Sequence, residues 1–407
     1  MHLDNLAEIE DPAIKSKAIE VLRNGDPVDY MIRVYNRLHV GDTQIGKILL
    51  LSIGSQSVIN SEGLQPKLSG PSGKGKTHAF KAIYHLIPDL GYKLEGSLSA
   101  KSLFYYPDMK PGTIVFSDDI TMSSDLEDTL KRAMTNFQQK TTHRTVTRDG
   151  YTELEIPERT TWWLTSVDSQ YSDEIINRLF GLDIDDSSNQ DDEVTKQQLK
   201  SAKVGDVPLP EDDDVKVCMA IIHMVKSRQF KVDVPFADYI VWHASGDRRN
   251  LPRFLDLIKS FAAFRFMQRF ELEENEIFAS LEDFDDAKAF YEEGKAGQTT
   301  KLTKAELRLV QWMAGRGPLS INAVVSDYKK PDGDQYSQEA IRKIIEGTRA
   351  GKGLTDKIPG MLVTGSGGKG DEKKYEIKSF DDSSGLEIVS LKPEAYEWFA
   401  ESTNESI

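Results

Sequence analysis

The pattern of apolar and polar residues predicts a chain that alternates helices with strands. The first 60 residues are predicted to be helical: one helix begins at Asp26-Pro27, with apolar residues on one face, and another follows Gly41-Asp42. Residues 113–117 and 161–166 are short runs rich in β-branched and aromatic side chains. Such runs are typical of strands buried in a parallel sheet, so the fold class predicted is α/β.

The middle of the chain predicts a hairpin and a second helical region. Two β-prone arms in residues 143–156 flank an Asp-Gly pair, which is a hairpin signal. Residues 185–214 are acidic and polar, and they are predicted to form a mobile loop. Helical periodicity resumes at Val215 and continues to about Glu293.

The last hundred residues have a different pattern. Three predicted helices at 304–314, 320–328 and 337–347 are followed by two short strands, 361–364 and 374–377. This is the order of a winged helix. Basic and acidic residues are interleaved in the third helix and the wing, so DNA binding and protein docking are equally compatible with this region. The basic residues are Arg342, Lys343, Lys369, Lys373 and Lys374, and the acidic ones are Glu339, Glu346, Asp371 and Glu372.

Composition narrows the class of protein. The chain has 407 residues, 39% of them hydrophobic and 29% charged, which is enough for two or three globular domains. A single cysteine, Cys218, excludes an intramolecular disulfide and suits a reducing compartment. No secretory signal and no apolar run of membrane-spanning length is found, so a cytoplasmic protein without a membrane partner is expected.

The net charge of −15 argues against a protein that coats DNA with its outer surface. The charge is unevenly distributed, because residues 131–148 contain five basic residues and no acid, whereas residues 183–193 contain six acids and no base. A local basic element in an acidic body fits a narrow, interior DNA contact.

One octapeptide matches the P-loop pattern G-x-x-x-x-G-K-[ST] without a mismatch. Its glycines allow backbone N–H groups to surround phosphate oxygens, and the helix that follows adds the positive end of its dipole. We therefore expect ATP bound with Mg²⁺, Lys76 on the β- and γ-phosphates and Thr77 as a metal ligand. The predicted nucleotide-binding residues are Gly70, Pro71, Ser72, Gly73, Lys74, Gly75, Lys76, Thr77 and the following His78.

A second motif ends the strand at 113–117. Two adjacent carboxylates, Asp118 and Asp119, follow it. Asp118 is predicted to hold Mg²⁺ in the Walker B role, and Asp119 to orient and polarise the attacking water. Related ATPases usually have Glu at the second position, so the shorter Asp119 leaves the hydrolysis rate open.

The order of P-loop, Walker B strand, helix, hairpin and polar-ended strand resembles the AAA+ ATPases. Within that superfamily, the chain resembles the minichromosome maintenance (MCM) helicases and MCM-like replication proteins of mobile elements. Residues 173–183 resemble the arginine-finger helix of the superfamily as a whole. The stretches similar to the MCM proteins are 39–51 before the P-loop, 147–159 at the presensor-1 hairpin, and 249–257 with 281–287 in the lid. The resemblance covers roughly residues 27–295.

The resemblance implies roles for further residues. Arg178 would be an arginine finger acting on a neighbouring subunit, and Arg249 the sensor-2 arginine, with Arg248 and Arg253 as alternatives. Ser166 is favoured as the sensor-1 group over Thr165 and Asp168. The presensor hairpin would contact DNA through Lys140, Arg144 and Arg148. By contrast, Trp162 and Trp163 are expected in the core, and His39, His78 and His85 are expected to be structural.

The resemblance has departures. Nothing matches the MCM amino-terminal DNA-encircling domain, and residues 101–112 are too few for the MCM helix-2 insert. Superfamily 3 viral helicases share the presensor hairpin and tolerate Asp-Asp at Walker B, so they are the nearest competitor.

The expected protein is an ATP-driven AAA+ ring, most simply a hexamer. It is expected to act on single-stranded or forked DNA as an MCM-like replicative helicase of a mobile element. Other replication proteins are further expected partners. Two alternatives remain open: an ATP-switched replication initiator or loader with little unwinding activity, and a AAA+ remodeller of proteins with Leu103–Tyr106 as its pore loop. The predicted domains are the ATPase core with its amino-terminal helices at 1–190, a linker and helical lid at 191–297, and the winged helix at 298–407.

Overall fold

The computed structural model describes residues 9–96, 103, 109–118, 123–147, 150–166, 172–204, 212–243, 250–295, 304–330, 334–348, 351–358, 361–366, 371–378 and 388–404. Three helices come first, α1 (Pro12–Asn24), α2 (Pro27–Leu38) and α3 (Thr43–Ser55), which confirms the helical prediction. Asp11 and Asp26 cap α1 and α2, each with a proline in the first turn.

A five-stranded parallel sheet forms the centre of the molecule. Its strands are β1 (Pro66–Ser69), β2 (Lys93–Glu95), β3 (Ile114–Ser117), β6 (Thr161–Ser166) and β7 (Phe180–Asp183), in the order β2-β3-β6-β1-β7. Both strands predicted from their apolar runs are present. Because the strands are parallel, the residues that follow β1, β3, β6 and β7 all emerge at one edge of the sheet.

Helices cover both faces of this sheet. On one face, α3 and α4 (Lys76–His85) pack with the amino-terminal helices and with α8 (Asp213–Lys226), α9 (Asn250–Phe264) and α10 (Leu281–Lys295). On the other face, α5 (Ser124–Thr135) and α6 (Asp173–Ile176) pack on Val115, Trp162 and Leu164. Trp162 and Trp163 are fully buried on opposite faces, so the prediction that they belong to the core is confirmed.

The predicted hairpin is present as β4 (Thr141–Thr147) and β5 (Gly150–Ile156). The two strands pair antiparallel along their whole length, with Thr147 opposite Gly150 next to the turn. Burial of Ile156 beside Trp162 joins the base of the hairpin to the core.

Two predictions between residues 185 and 295 were wrong. The predicted loop 185–214 contains a 17-residue helix, α7 (Ser188–Val204), whose side chains are almost all exposed and therefore give little apolar periodicity. The predicted run of helices is interrupted by four short strands, β8 (Lys231–Asp233), β9 (Ile240–Trp242), β10 (Glu271–Glu273) and β11 (Glu276–Phe278), and β8, β10 and β11 form one sheet.

The last part of the chain has its own hydrophobic cluster. It contains α11 (Lys304–Met313), β12 (Leu319–Ser320), α12 (Ile321–Asp327), α13 (Gln338–Glu346), β13 (Gly347–Thr348), β14 (Gly351–Lys352), α14 (Leu354–Lys357), β15 (Leu362–Thr364) and β16 (Lys374–Glu376). The predicted three helices and terminal hairpin are therefore observed, and β12 pairs with β16 to make a three-stranded sheet.

The final elements, β17 (Val389–Leu391) and α15 (Glu394–Asn404), return to the main body. Strand β17 pairs with β9, and Ile388 and Val389 are buried in the same core as the amino-terminal helices. Within the described residues, no helix is long and apolar enough to cross a membrane.

Candidate functional site

The P-loop connects β1 to α4 at the carboxyl edge of the sheet. Gly70, Gly73 and Gly75 have φ angles of 143°, 80° and 91°, which favour glycine because a Cβ is strained there. A Cβ at Gly73 would have no neighbour within 4 Å, and Pro71 and Ser72 are exposed. The backbone of the loop is therefore open to a ligand, directly before the amino end of a ten-residue helix.

Lys76 is the first residue of α4 and is buried. Its Nζ donates hydrogen bonds to the carbonyl oxygens of Gly70 and Pro71, both at 2.9 Å. The ammonium group is thus held inside the loop that would surround the phosphates.

Asp118 connects the P-loop to the middle of the sheet. The hydroxyl of Thr77 donates to Oδ2 of Asp118 at 2.7 Å, and the hydroxyl of Thr165 donates to Oδ1 of the same carboxylate at 2.6 Å. This contact arises because β6, which carries Thr165, lies between β1 and β3. Thr165, one of the three candidates at the end of this strand, is therefore the one whose contact with Walker B is described.

The oxygen pair of Thr77 and Asp118 fits a magnesium ion. Mg²⁺ prefers hard oxygen ligands and is usually held by one or two protein groups together with phosphates and water. The hydroxyl and the carboxylate are already within hydrogen-bond distance of each other, so one ion can reach both. The chemistry that bound Mg²⁺ would supply is neutralisation of charge on the phosphates.

The other side of the P-loop, next to β7, contains a hydrogen-bonded chain. Nδ1 of His39 lies 2.8 Å from Nδ1 of His78, and Nε2 of His39 lies 3.0 Å from Oδ2 of Asp42. Oδ1 of Asp42 accepts a hydrogen bond from the backbone N–H of Asp185. Burial and the neighbouring His39 lower the pKa of His78. Two of the three histidines predicted as structural, His39 and His78, thus lie together beside the nucleotide-binding loop. The position of His78 follows from its place directly after the P-loop, whereas no sequence spacing indicated that of His39.

The first turn of α7 also contacts the P-loop. The carboxylate of Asp191 lies 2.5 Å from Nζ of Lys74, and the side chain of Gln190 donates to the carbonyl of Val40. Gly41 makes this possible, because a Cβ there would overlap the Gln190 amide. These contacts were missed because the segment was predicted to be a loop.

Arg178 lies at the opposite edge of the sheet from the P-loop of its own chain. Phe180 of β7 pairs with Pro66 of β1, and the two strands are parallel. Arg178 comes two residues before Phe180, at the amino ends of these strands. Gly70 comes four residues after Pro66, beyond their carboxyl ends.

Arg178 lies in the turn between α6 and β7. Its guanidinium donates to Oγ1 of Thr135 at 3.1 Å and to the carbonyl of Glu174 at 2.5 Å. These bonds hold it at the amino end of β7, whereas the P-loop follows the carboxyl end of β1.

The start of α9 lies beside Arg178. Arg253 donates to the carbonyl of Asn177, the residue before Arg178. Arg248 and Arg249 lie outside the described residues, but they immediately precede α9. The segment predicted to carry the sensor-2 arginine therefore approaches the same face as Arg178.

The basic residues of the hairpin have acidic partners. Nζ of Lys140 lies 2.5 Å from a carboxylate oxygen of Glu155, and Nε of Arg144 lies 3.9 Å from one of Glu153. The run 131–148 is free of acids in the sequence, but the facing strand β5 supplies them in space. The positive charge of these two side chains therefore has acidic neighbours that the run itself does not show, and their contact with DNA stays a prediction.

Three predicted site residues, Asp119, Arg148 and Arg249, fall outside the described residues, as does the side chain of Ser166. The backbone of Ser166 pairs with Ser69, immediately before the P-loop. Arg148 belongs to the two-residue connection between β4 and β5. Leu103 is buried in the core beneath α5, which does not suit an exposed pore loop.

Taken together, the parallel sheet, the glycine loop and the Thr77–Asp118 pair define a P-loop nucleotide-binding domain, the class that generally hydrolyses nucleoside triphosphates. A family described as the MTBMA_p00010 P-loop domain matches residues 11–228, more than half of the chain. The protein belongs to this family.

The comparison with curated proteins found a relative in Methanothermobacter marburgensis (strain Marburg). This protein, whose name is "Uncharacterized protein MTBMA_p00010", is 25% identical over 262 residues, which are 61% of this chain and 32% of the relative. The chain thus spans about a third of the length of the relative it matches.

Proposed function

We propose that the protein is an ATP-driven, ring-forming AAA+ motor that acts on DNA, as an MCM-like replicative helicase of a mobile genetic element. The observation that carries this proposal is the position of Arg178, at the amino end of β7 and therefore at the opposite end of the parallel strands from its own P-loop. A planar guanidinium at such a place serves catalysis only when it enters the nucleotide site of another copy. A closed ring, a hexamer in the MCM-like case, gives every copy such a neighbour.

The roles of the site residues follow from this arrangement. Lys76 and the P-loop N–H groups hold the triphosphate, Thr77 and Asp118 hold Mg²⁺, and Thr165 fixes the Asp118 carboxylate. Asp119 orients the attacking water. Arg178 and Arg249 approach from the neighbouring copy, since the start of α9 adjoins Arg178, and stabilise the charge that develops on the transferred phosphoryl group.

The DNA-binding element in this proposal is the β4–β5 hairpin. Lys140 and Arg144 are already paired with Glu155 and Glu153, so Arg148 at the turn is the principal candidate for a phosphate contact. The helices and wing of residues 304–378 follow the winged-helix order, and they supply a second candidate surface for DNA or for another replication protein.

The second candidate function is an ATP-switched initiator or loader with little unwinding activity. It is favoured by the same ion pairs, because a hairpin whose cations are compensated holds a DNA strand weakly. The protein remodeller loses support, since Leu103 of its supposed pore loop is buried.

The deciding experiment measures ATP hydrolysis with and without single-stranded DNA, alongside the mass of the protein with ATP. The motor predicts DNA-stimulated hydrolysis by an oligomer and unwinding of forked DNA. An oligomer that binds DNA but hydrolyses ATP slowly and without stimulation supports the initiator. A monomer under all conditions contradicts the ring.

A further inference from the structure

Helix α7 begins at the P-loop but is exposed over most of its length. Its first turn is fixed by the Asp191–Lys74 pair and by Gln190 on the Val40 carbonyl. Beyond Val194, every residue whose side chain is described is exposed, including Leu199 at 67%. A polar helix of this length is marginally stable alone, because helices in proteins depend mainly on packing. This half of α7 lacks a packing partner within the described part of the chain.

The exposed half of α7 is positively charged. Residues 195–204 contain three lysines and no acid, although the whole protein has a net charge of −15. Lys196 is paired with Glu193 of the same helix at 2.6 Å. Lys200 and Lys203 are spaced by three residues, so they lie on one face, together with Leu199. We call Leu199, Lys200 and Lys203 the α7 basic face.

A surface of opposite charge surrounds Arg178. Glu127, Asp128 and Glu174 all lie within 3.5 Å of the single ammonium group of Lys131. Asp128 and Glu174 are 68% and 71% exposed. Arg132, whose Nε donates to the carbonyl of Asp128 at 3.2 Å, is a second cation beside Lys131. The three carboxylates therefore exceed these two cations by one when Arg178 is committed to a neighbour's phosphates. We call Glu127, Asp128 and Glu174 the α5–α6 acidic cluster.

We propose that the α7 basic face of one copy binds the α5–α6 acidic cluster of the next copy in the ring. This rests on the proposed function, in which Arg178 enters the neighbouring P-loop. Glu174 lies four residues before Arg178, whose guanidinium bonds to the Glu174 carbonyl. Lys200 lies nine residues after Asp191, which touches the P-loop, or about 14 Å along α7. In the proposed contact, an α7 that extends from the P-loop of one copy reaches the α5–α6 acidic cluster of the neighbour whose Arg178 enters that P-loop. The contact would connect the P-loop of one copy, through Asp191 and α7, to the helix that precedes its neighbour's Arg178.

Charge reversal tests this contact. We expect Lys200→Glu with Lys203→Glu to weaken ATP-dependent self-association at least roughly tenfold, since like charges then face each other. Asp128→Lys with Glu174→Lys should weaken it similarly, and a protein with all four changes should associate nearly as well as the wild type. Lys15→Glu with Lys17→Glu, on exposed α1, makes the same change in net charge and should leave association intact. Thermal unfolding of each variant shows whether it is folded.

Crosslinking supplies an independent test. Cys218, the only cysteine, is buried, so engineered thiols can be modified selectively. In the presence of ATP, a mixture of Leu199→Cys and Glu174→Cys proteins should give a covalent dimer with a short bismaleimide. In the control, Lys17→Cys replaces Leu199→Cys, and no covalent dimer should form. If the wild type forms rings but the Leu199→Cys and Glu174→Cys mixture gives no crosslink, the contact is overturned and the ring proposal remains intact. Charge-reversal variants that assemble normally have the same meaning. A wild-type protein that never self-associates overturns both.

Discussion

Asp256 provides a prediction about how stability depends on pH. The side chain lies in α9, is 2% exposed, and its Oδ2 accepts a hydrogen bond from the backbone N–H of Glu62 at 2.9 Å. Burial raises the pKa of Asp256 from 3.8 to about 7, because desolvation outweighs the nearby Lys259 and the Glu62 N–H. The folded protein therefore binds a proton between pH 4 and 7 that the unfolded chain has released.

The sign of the effect follows from this difference in bound protons. Between pH 4 and 7 the folded state binds more protons, so the free energy of unfolding falls as pH rises and becomes constant above about pH 7. With these two pKa values, the Asp256 contribution decreases by about 3 kcal/mol from pH 5 to pH 8. Asp256→Asn retains an acceptor for the Glu62 N–H and removes the titrating group.

The assay is urea unfolding of the wild type and Asp256→Asn at pH 5 and pH 8. The wild type should lose more stability over this interval than the variant, by about 3 kcal/mol. Asp213→Asn, at an exposed position in the first turn of α8, should behave like the wild type. Equal losses in the wild type and Asp256→Asn would refute the reasoning, because burial of the carboxyl group would then have no thermodynamic consequence.

Three further predictions concern the nucleotide and DNA. Lys76→Ala should abolish ATP hydrolysis and strongly weaken ATP binding, whereas Asp119→Asn should bind ATP and lose hydrolysis. Equilibrium binding of a fluorescent ATP analogue measures ATP binding, and a phosphate-release assay measures hydrolysis. Thr165→Val removes a hydrogen bond to the Asp118 carboxylate and should slow ATP hydrolysis roughly tenfold to a hundredfold. Thr165→Ser retains the hydroxyl and should hydrolyse ATP at close to the wild-type rate. Equal hydrolysis rates for the two variants would contradict this role of Thr165. Arg148→Ala should leave basal ATP hydrolysis and assembly intact but remove most of the DNA stimulation of hydrolysis and most of the unwinding. The salt dependence of DNA binding should fall by about one counterion per lost contact. Unwinding of forked DNA at the wild-type rate would contradict the assignment of the hairpin as a DNA contact.

The nucleotide-binding core was predictable because its signals are local. The P-loop glycines need positive φ angles, and β3 and β6 are buried on both faces, so each contains an uninterrupted apolar run, 114–116 and 162–164. The pairing of β4 with β5 was equally predictable, from two β-prone arms around an Asp-Gly pair. In each case a few consecutive residues determine the structure.

The features that the sequence did not reveal depend on contacts between distant segments. The Lys140–Glu155 pair arises from strand pairing, so a count of charges along the chain cannot detect it. Helix α7 has no apolar stripe from which to predict it. Thr165 could be named only as one of three candidates, because the order of strands in the sheet decides which side chain meets Asp118.

Arg178 should complete the nucleotide site of a neighbouring copy, and a mixture of two inactive variants shows whether it does. Lys76→Ala lacks a working P-loop, and Arg178→Ala lacks the finger but should bind ATP normally. Mixed rings contain some interfaces in which an intact P-loop meets an intact Arg178, so ATP hydrolysis should reappear in the mixture and depend on the mixing ratio. If mixed rings form and no mixing ratio restores ATP hydrolysis above the sum of the separate variants, Arg178 does not act in trans. That result would contradict the proposed ring-forming motor.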